Sequence, residues 1–220
     1  MKKSFVNVST AALAIAYPAA GSMLSLGNAA ATALYEGVVQ RRRTVADDIA
    51  MRELADAGTF DELMANPDSF VSRAARYYQA AIIGSAHVNL RILARMIVCG
   101  GQRALPADEF LYLAQIVESL RHDELLVLAS FSRARRRRDL DTAQDPEADL
   151  FGKVEEDLAG VFDPNELEGL AYALLRTGFM TTRSGYGGGS SWNVTPLLLR
   201  LEGTTQFSLI VQEDIVPLKK

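Results

Sequence analysis

From Asp68 to Cys99 the chain reads DSFVSRAARYYQAAIIGSAHVNLRILARMIVC, with no proline and with apolar residues recurring at helical spacing. Such a run can fold as little other than a long amphipathic helix. At about 100° per residue, Val71, Ala75, Tyr78, Ile82, Ala86, Leu93 and Met96 share one face, broken only by Asn89, and that face is the expected core. The opposite face gathers Arg73, Arg76, Ala80, Gly84, His87, Arg91 and Arg95. Four guanidiniums and an imidazole thus form one stripe over small residues, the first candidate binding surface, suited to an anionic partner. Asp68 serves as N-cap after Asn66-Pro67, and Gly100-Gly101 supplies the stop.

The stretch before it, Asn28 to Ala57, repeats Leu34, Val38, Val45, Ile49 and Leu54 near helical spacing and is expected to be a second long helix that Gly58-Thr59 ends. Packed antiparallel on the first, it brings Asp47, Asp48 and Glu53 toward the arginine stripe. The stripe is then a set of partly exposed internal ion pairs, the competing reading of the same residues. Phe60 to Met64 reads as a short helical connector.

Ser4 to Tyr35 carries no charged side chain, with Lys2-Lys3 before it and Arg41-Arg42-Arg43 after it. Three readings stay open. The first is a signal peptide, although Pro18 and Gly21 divide its apolar core. The second is a membrane contact, one poor span or a shallow hairpin over residues 4–35 flanked by positive charge. The third is an Ala-rich element packed inside the protein.

Beyond Gly101, Pro106 opens a helix with Asp108 and Glu109 in its first turn, where the helix dipole favours them, and Phe110, Leu113, Ala114 and Val117 form its core face. After a break at Ser119 to His122, a helix starting at Asp123-Glu124, stapled by Leu120 and Leu125, ends in Arg133 and Arg135, Arg136, Arg137 and Arg138. This second basic cluster is either a site for phosphate or anionic lipid, or a solvated helix end beside the acidic linker Asp139 to Asp149, in which Pro146 marks a domain boundary.

The C-terminal order is a helix from Leu150 to Leu158, a second behind Phe162-Asp163-Pro164, a stop at Gly178, a strand at Phe179 to Thr182, a Gly185 to Gly189 tip, a return strand at Trp192 to Val194, and a helix from Thr195-Pro196 through Leu201. From Leu167 to Leu201 this order resembles the second half of a winged helix. Many winged helices bind DNA, but here Ala148 to Ile210 holds eight acids against four bases, and Glu166 and Glu168 lie near the front of the helix that would enter the groove. Phosphate would repel them, which favours a wing used for protein contact. With Ser119-Leu120-Arg121-His122-Asp123-Glu124-Leu125 ahead of it, the cassette also resembles the abortive-infection alpha family of bacterial phage-defence proteins. That family typically has leucine-serine-proline-aspartate-glutamate here, so Leu120, Asp123 and Glu124 match while Arg121 and His122 depart, removing the serine cap; Leu198 stands where a glycine usually follows. The resemblance implies a defence-associated role and supplies no catalytic residues.

Chemistry-bearing motifs are missing. Gly187-Gly188-Gly189-Ser190-Ser191 lies between strands without the lysine of a P-loop, His87 and His122 are the only histidines and lack ligand spacing, and Cys99 is the single cysteine. Neither cofactor nor metal is expected, and no nucleophile with a nearby base can be named. The formal charge of −4 gives no global attraction to nucleic acid. The expected fold is mainly α: a helical bundle with long antiparallel helices plus a small C-terminal winged-helix-like α+β unit. Its parts are an apolar segment at 1–35, a helical domain at 36–140 and the wing domain at 147–212. The expected function is a non-enzymatic interaction protein with an unknown protein partner, cytoplasmic or on the inner membrane face, with self-association left open. The alternative is a winged-helix transcriptional regulator.

Overall fold

The computed structural model describes residues 29–57, 67–99, 105–140, 150–184 and 190–215. Of the segment 4–35 that carries the signal-peptide and membrane readings, residues 4–28 fall outside them, as do the connector at 60–64 and the glycine tip at 185–189. Among the described residues the protein is mainly α, with nine α-helices and one two-stranded antiparallel hairpin near the C-terminus. They divide between Glu118 and Ser119 into two compact units. The division comes ahead of the acidic linker in which the sequence places its boundary.

The first unit contains α1 (Ala29–Ala57), α2 (Pro67–Ile83), α3 (His87–Val98) and α4 (Ala107–Ser119, whose last residue begins the second unit). The long run expected as one helix is two, because Gly84 adopts φ +100° and ends α2. Gly84 N–H donates to Ala81 O at 3.2 Å and Ser85 N–H to Ala80 O at 3.0 Å, the paired bonds of a Schellman stop. A left-handed residue costs least at glycine, so a residue that helical periodicity tolerates became the turn of a helical hairpin. The break also rotates the two halves independently. In α2 the buried face is Phe70, Ala74, Tyr77, Tyr78, Ala80, Ala81 and Ile82, whereas Ala86, expected in the core, is exposed. In α3, ten of twelve residues are buried, Asn89 and Arg91 among them, so this helix lies at the centre of its unit.

The helix α1 runs antiparallel to α2, since Arg42 meets Ile82 while Tyr77 donates to Ala46 O at 2.7 Å. Among the residues of α1 from 34 to 56, the buried ones, Ala46, Ile49, Ala50, Glu53 and Leu54, all lie in its C-terminal half. Leu34, Val38 and Val45, expected on the same core face, are 73%, 49% and 42% exposed. In α4 the expected face holds without change: Phe110, Leu113, Ala114 and Val117 are all fully buried.

The second unit is built on α5 (His122–Leu140), which packs against α6 (Leu150–Asp157), α7 (Pro164–Leu174), α8 (Pro196–Thr205) and α9 (Phe207–Ile215). Asp163 caps α7 by accepting from Glu166 N–H at 2.9 Å, with Pro164 in the first turn. A 3₁₀ turn at Leu175–Thr177 and the left-handed Gly178 lead into β1 (Met180–Ser184), paired with β2 (Ser190–Val194) from Met180↔Val194 to Ser184↔Ser190. Trp192 closes the core, stacked on Phe151 at 5.8 Å and edge-on to Tyr172 at 4.9 Å. Thr195, at the N-cap of α8, makes no capping bond to that helix with its side chain. Its hydroxyl donates to Gly178 O at 2.7 Å, tying the end of β2 to the turn before β1. The left-handed Gln206 then separates α8 from α9, a helix the sequence pattern did not single out.

Candidate functional site

The central arginine stripe is distributed among internal partners. Because Gly84 splits its helix, Arg73 and Arg76 belong to α2 while His87, Arg91 and Arg95 belong to α3. Arg73 donates to Leu105 O and lies 5.5 Å from the Phe110 ring centroid. Burial pulls its guanidinium below its ordinary pKa. Arg76 pairs with Glu118 at 2.7 Å; burial nevertheless pushes that carboxyl up, with Arg76 working against the shift.

Arg91 and Arg95 share one carboxylate. Their Nε atoms reach the two oxygens of Glu53 at 2.8 and 2.6 Å, and the Glu53 side chain is completely buried. A carboxylate removed from water is tolerable only when its oxygens are occupied and its charge opposed, and the two arginines, one turn apart on α3, do both. Of the three acids expected to face the stripe, Glu53 alone takes this part. Asp47 accepts from the Tyr78 hydroxyl, and Asp48 is exposed.

The second cluster is likewise engaged within its own unit. Arg135 bonds Asp139 one turn on at 2.7 Å, Arg137 meets Asp157 at 3.0 Å, and Arg136 meets Glu202. Glu202 also accepts from Ser208 N–H at 3.1 Å and its hydroxyl at 2.7 Å, so it holds the start of α9. Arg138 is buried, and burial lowers its pKa, as it does for Arg133. The solvated helix end expected for this cluster is therefore only half present: Arg136 and Arg137 keep more than half of their side-chain surface exposed while paired.

Glu124, singled out by motif alone, proves to join two elements. It accepts from Arg121 N–H at 2.9 Å, the backward half of a capping box, without the serine that would complete it. It also accepts both Nη groups of Arg176, at 2.6 and 2.9 Å, in a bidentate pair. Burial alone would raise the Glu124 pKa, but the Arg176 and Arg121 bonds outweigh it and hold the carboxyl below its ordinary value.

One open concavity in the first unit was not expected. A cleft of about 370 Å³ lies between α1 and the α2–α3 turn, lined by Val38, Arg41, Arg42, Val45, Ala81, Gly84, Ser85, His87 and Leu90. Of the arginines and histidine in the central stripe, only His87 lies here. Arg42 donates to Ile82 O, one of the last carbonyls of α2, and sits so close over Gly84 that a Cβ there would be 3.0 Å from its Nη2. No spacing rule links Arg41 and Arg42 to a turn some forty residues on; the signal was confined to a basic triplet.

Among the described residues no group of three or more His, Cys, Asp or Glu side chains is placed to hold a metal ion, and no helix is long and apolar enough to cross a membrane. No protein-family model, curated protein or solved structure matches the chain.

Proposed function

We propose that the chain is a non-enzymatic interaction protein of bacterial phage defence, and that its second unit is a winged-helix-like module used for protein contact. One observation carries this reading. The two segments that resemble the abortive-infection alpha family, Leu120 to Leu125 and the cassette through Thr195-Pro196, belong to one compact unit, and the Glu124–Arg176 pair couples them. The order helix, left-handed glycine, strand, strand, Thr-Pro helix supports the winged shape.

Protein rather than DNA as partner follows from charge. Asp163, Glu166 and Glu168 are exposed along the front of α7, beside the 47% exposed Tyr172. The acidic start of this helix, with Tyr172 one turn on from Glu168, suits a basic protein surface and repels a phosphate backbone. Partner and fold tests separate cleanly in a pull-down from the native host. The double variant Glu166→Lys, Glu168→Lys should lose the captured protein while melting unchanged. The transcriptional-regulator reading instead requires a gel shift of duplex DNA that weakens as salt rises, and that result would displace the proposal.

The first unit is a bundle of antiparallel helices, and the protein works in the cytoplasm, in part at the inner membrane face through residues 4–35.

A further inference from the structure

The cleft between α1 and the α2–α3 turn combines two chemistries. Its floor is apolar, from Val38, Val45, Ala81 and Leu90, and its rim carries the guanidiniums of Arg41 and Arg42, with His87 beside them. Among the described residues that line it there is no carboxylate. Arg41 and Arg42 are exposed at this mouth, and Arg42 is anchored there by Ile82 O. The absent Cβ of Gly84 is what lets that guanidinium lie over the turn. The mouth also adjoins the start of α3, where Ala86 offers its helix no side-chain cap, so the partial positive charge of the first turn adds to that of the arginines.

Size limits the occupant. At roughly 30 Å³ per water-sized atom, 370 Å³ holds about a dozen non-hydrogen atoms. The geometry points to a site for a small free amphiphile: a carboxylate or phosphate head on Arg41 and Arg42, and a short apolar body on Val38, Val45 and Leu90. The polar head is fixed by charge-assisted bonds and the body by desolvation of an apolar floor that otherwise faces water. This inference is independent of the interaction-protein reading, because it concerns other residues in the other unit.

Calorimetric titration of the full chain with decanoate, below its micellar concentration, tests it. Saturable one-site binding is expected, weakened about tenfold by Arg41→Ala, which removes an exposed side chain and a charge-assisted contact. Val38→Asp should abolish it, while decanol and inorganic phosphate, each carrying half of the recognised chemistry, should bind at least about tenfold more weakly. Absence of saturable decanoate binding, or binding that Arg41→Ala leaves unchanged, overturns the proposal. So does Arg41-dependent sedimentation with phosphatidylglycerol vesicles in the absence of decanoate binding, which would make the rim a membrane-facing surface instead.

Discussion

Glu53 shows what a single residue contributes to this fold. Its fully buried carboxylate is matched by Arg91, itself 8% exposed, and by Arg95. Glu53→Ala leaves Arg91 buried without that counter-charge and should cost about 3–5 kcal/mol in chemical denaturation. Arg95→Ala, which leaves the better-buried pair intact, should cost only about 1 kcal/mol. Gly84 is the other decisive residue. Its φ of +100° strains any L side chain, and a Cβ would press on Arg42. Gly84→Leu should therefore cost about 1–3 kcal/mol, read as a lowered denaturation midpoint. An unchanged melting curve would refute this account of the turn. Spacing along the chain marked Gly84 as a small residue in a helix; only the turn revealed its left-handed backbone.

At the scale of elements, the ends of helices carry the second unit. Asp163 caps α7, and Asp163→Ala should cost about 1 kcal/mol. Trp192 is the chain's one tryptophan and is buried in this unit, so its fluorescence should report that loss directly. Glu124 fastens the start of α5 to the turn after α7, and its effect depends on pH. Because its folded pKa lies below its ordinary value of 4.5, its contribution is complete above that value and is lost as pH falls through the lower, folded one. Glu124→Gln should cost about 1–2 kcal/mol at pH 7, allowing for the 47% exposure of Arg176, and the gap between variant and wild type should narrow as pH falls through the lowered folded pKa of Glu124. Urea midpoints of the two proteins at pH 7 and pH 3 measure it. Glu118, raised by burial, shifts stability the other way in both proteins and so cancels in the comparison.

For the whole molecule, the net charge of −4 argues against a nucleic-acid partner, and the same chain keeps a cationic rim at one cleft. Titrating labelled duplex DNA into the full chain at low and high salt should give no salt-dependent binding isotherm. The mainly α character, the core face of α4, the Asp163-Pro164 start of α7 and the hairpin between Gly178 and Thr195 were legible in the amino-acid order. Each depends on local periodicity, a cap or a turn residue, all of which act within a few positions. The placement of charge was not legible in the same way. Helical periodicity put Arg73, Arg76, Arg91 and Arg95 on one stripe, but the left-handed Gly84 divided them between two helices. Burial and Coulomb attraction then matched Arg91 and Arg95 to Glu53, and Arg76 to Glu118, across separations of 38 to 42 residues. The helix α1 repeats the apolar spacing of a core helix, yet Leu34, Val38 and Val45 stay exposed. Amphipathic order along a helix determines which face can be buried; whether a neighbour arrives to bury it is decided by where the rest of the chain packs.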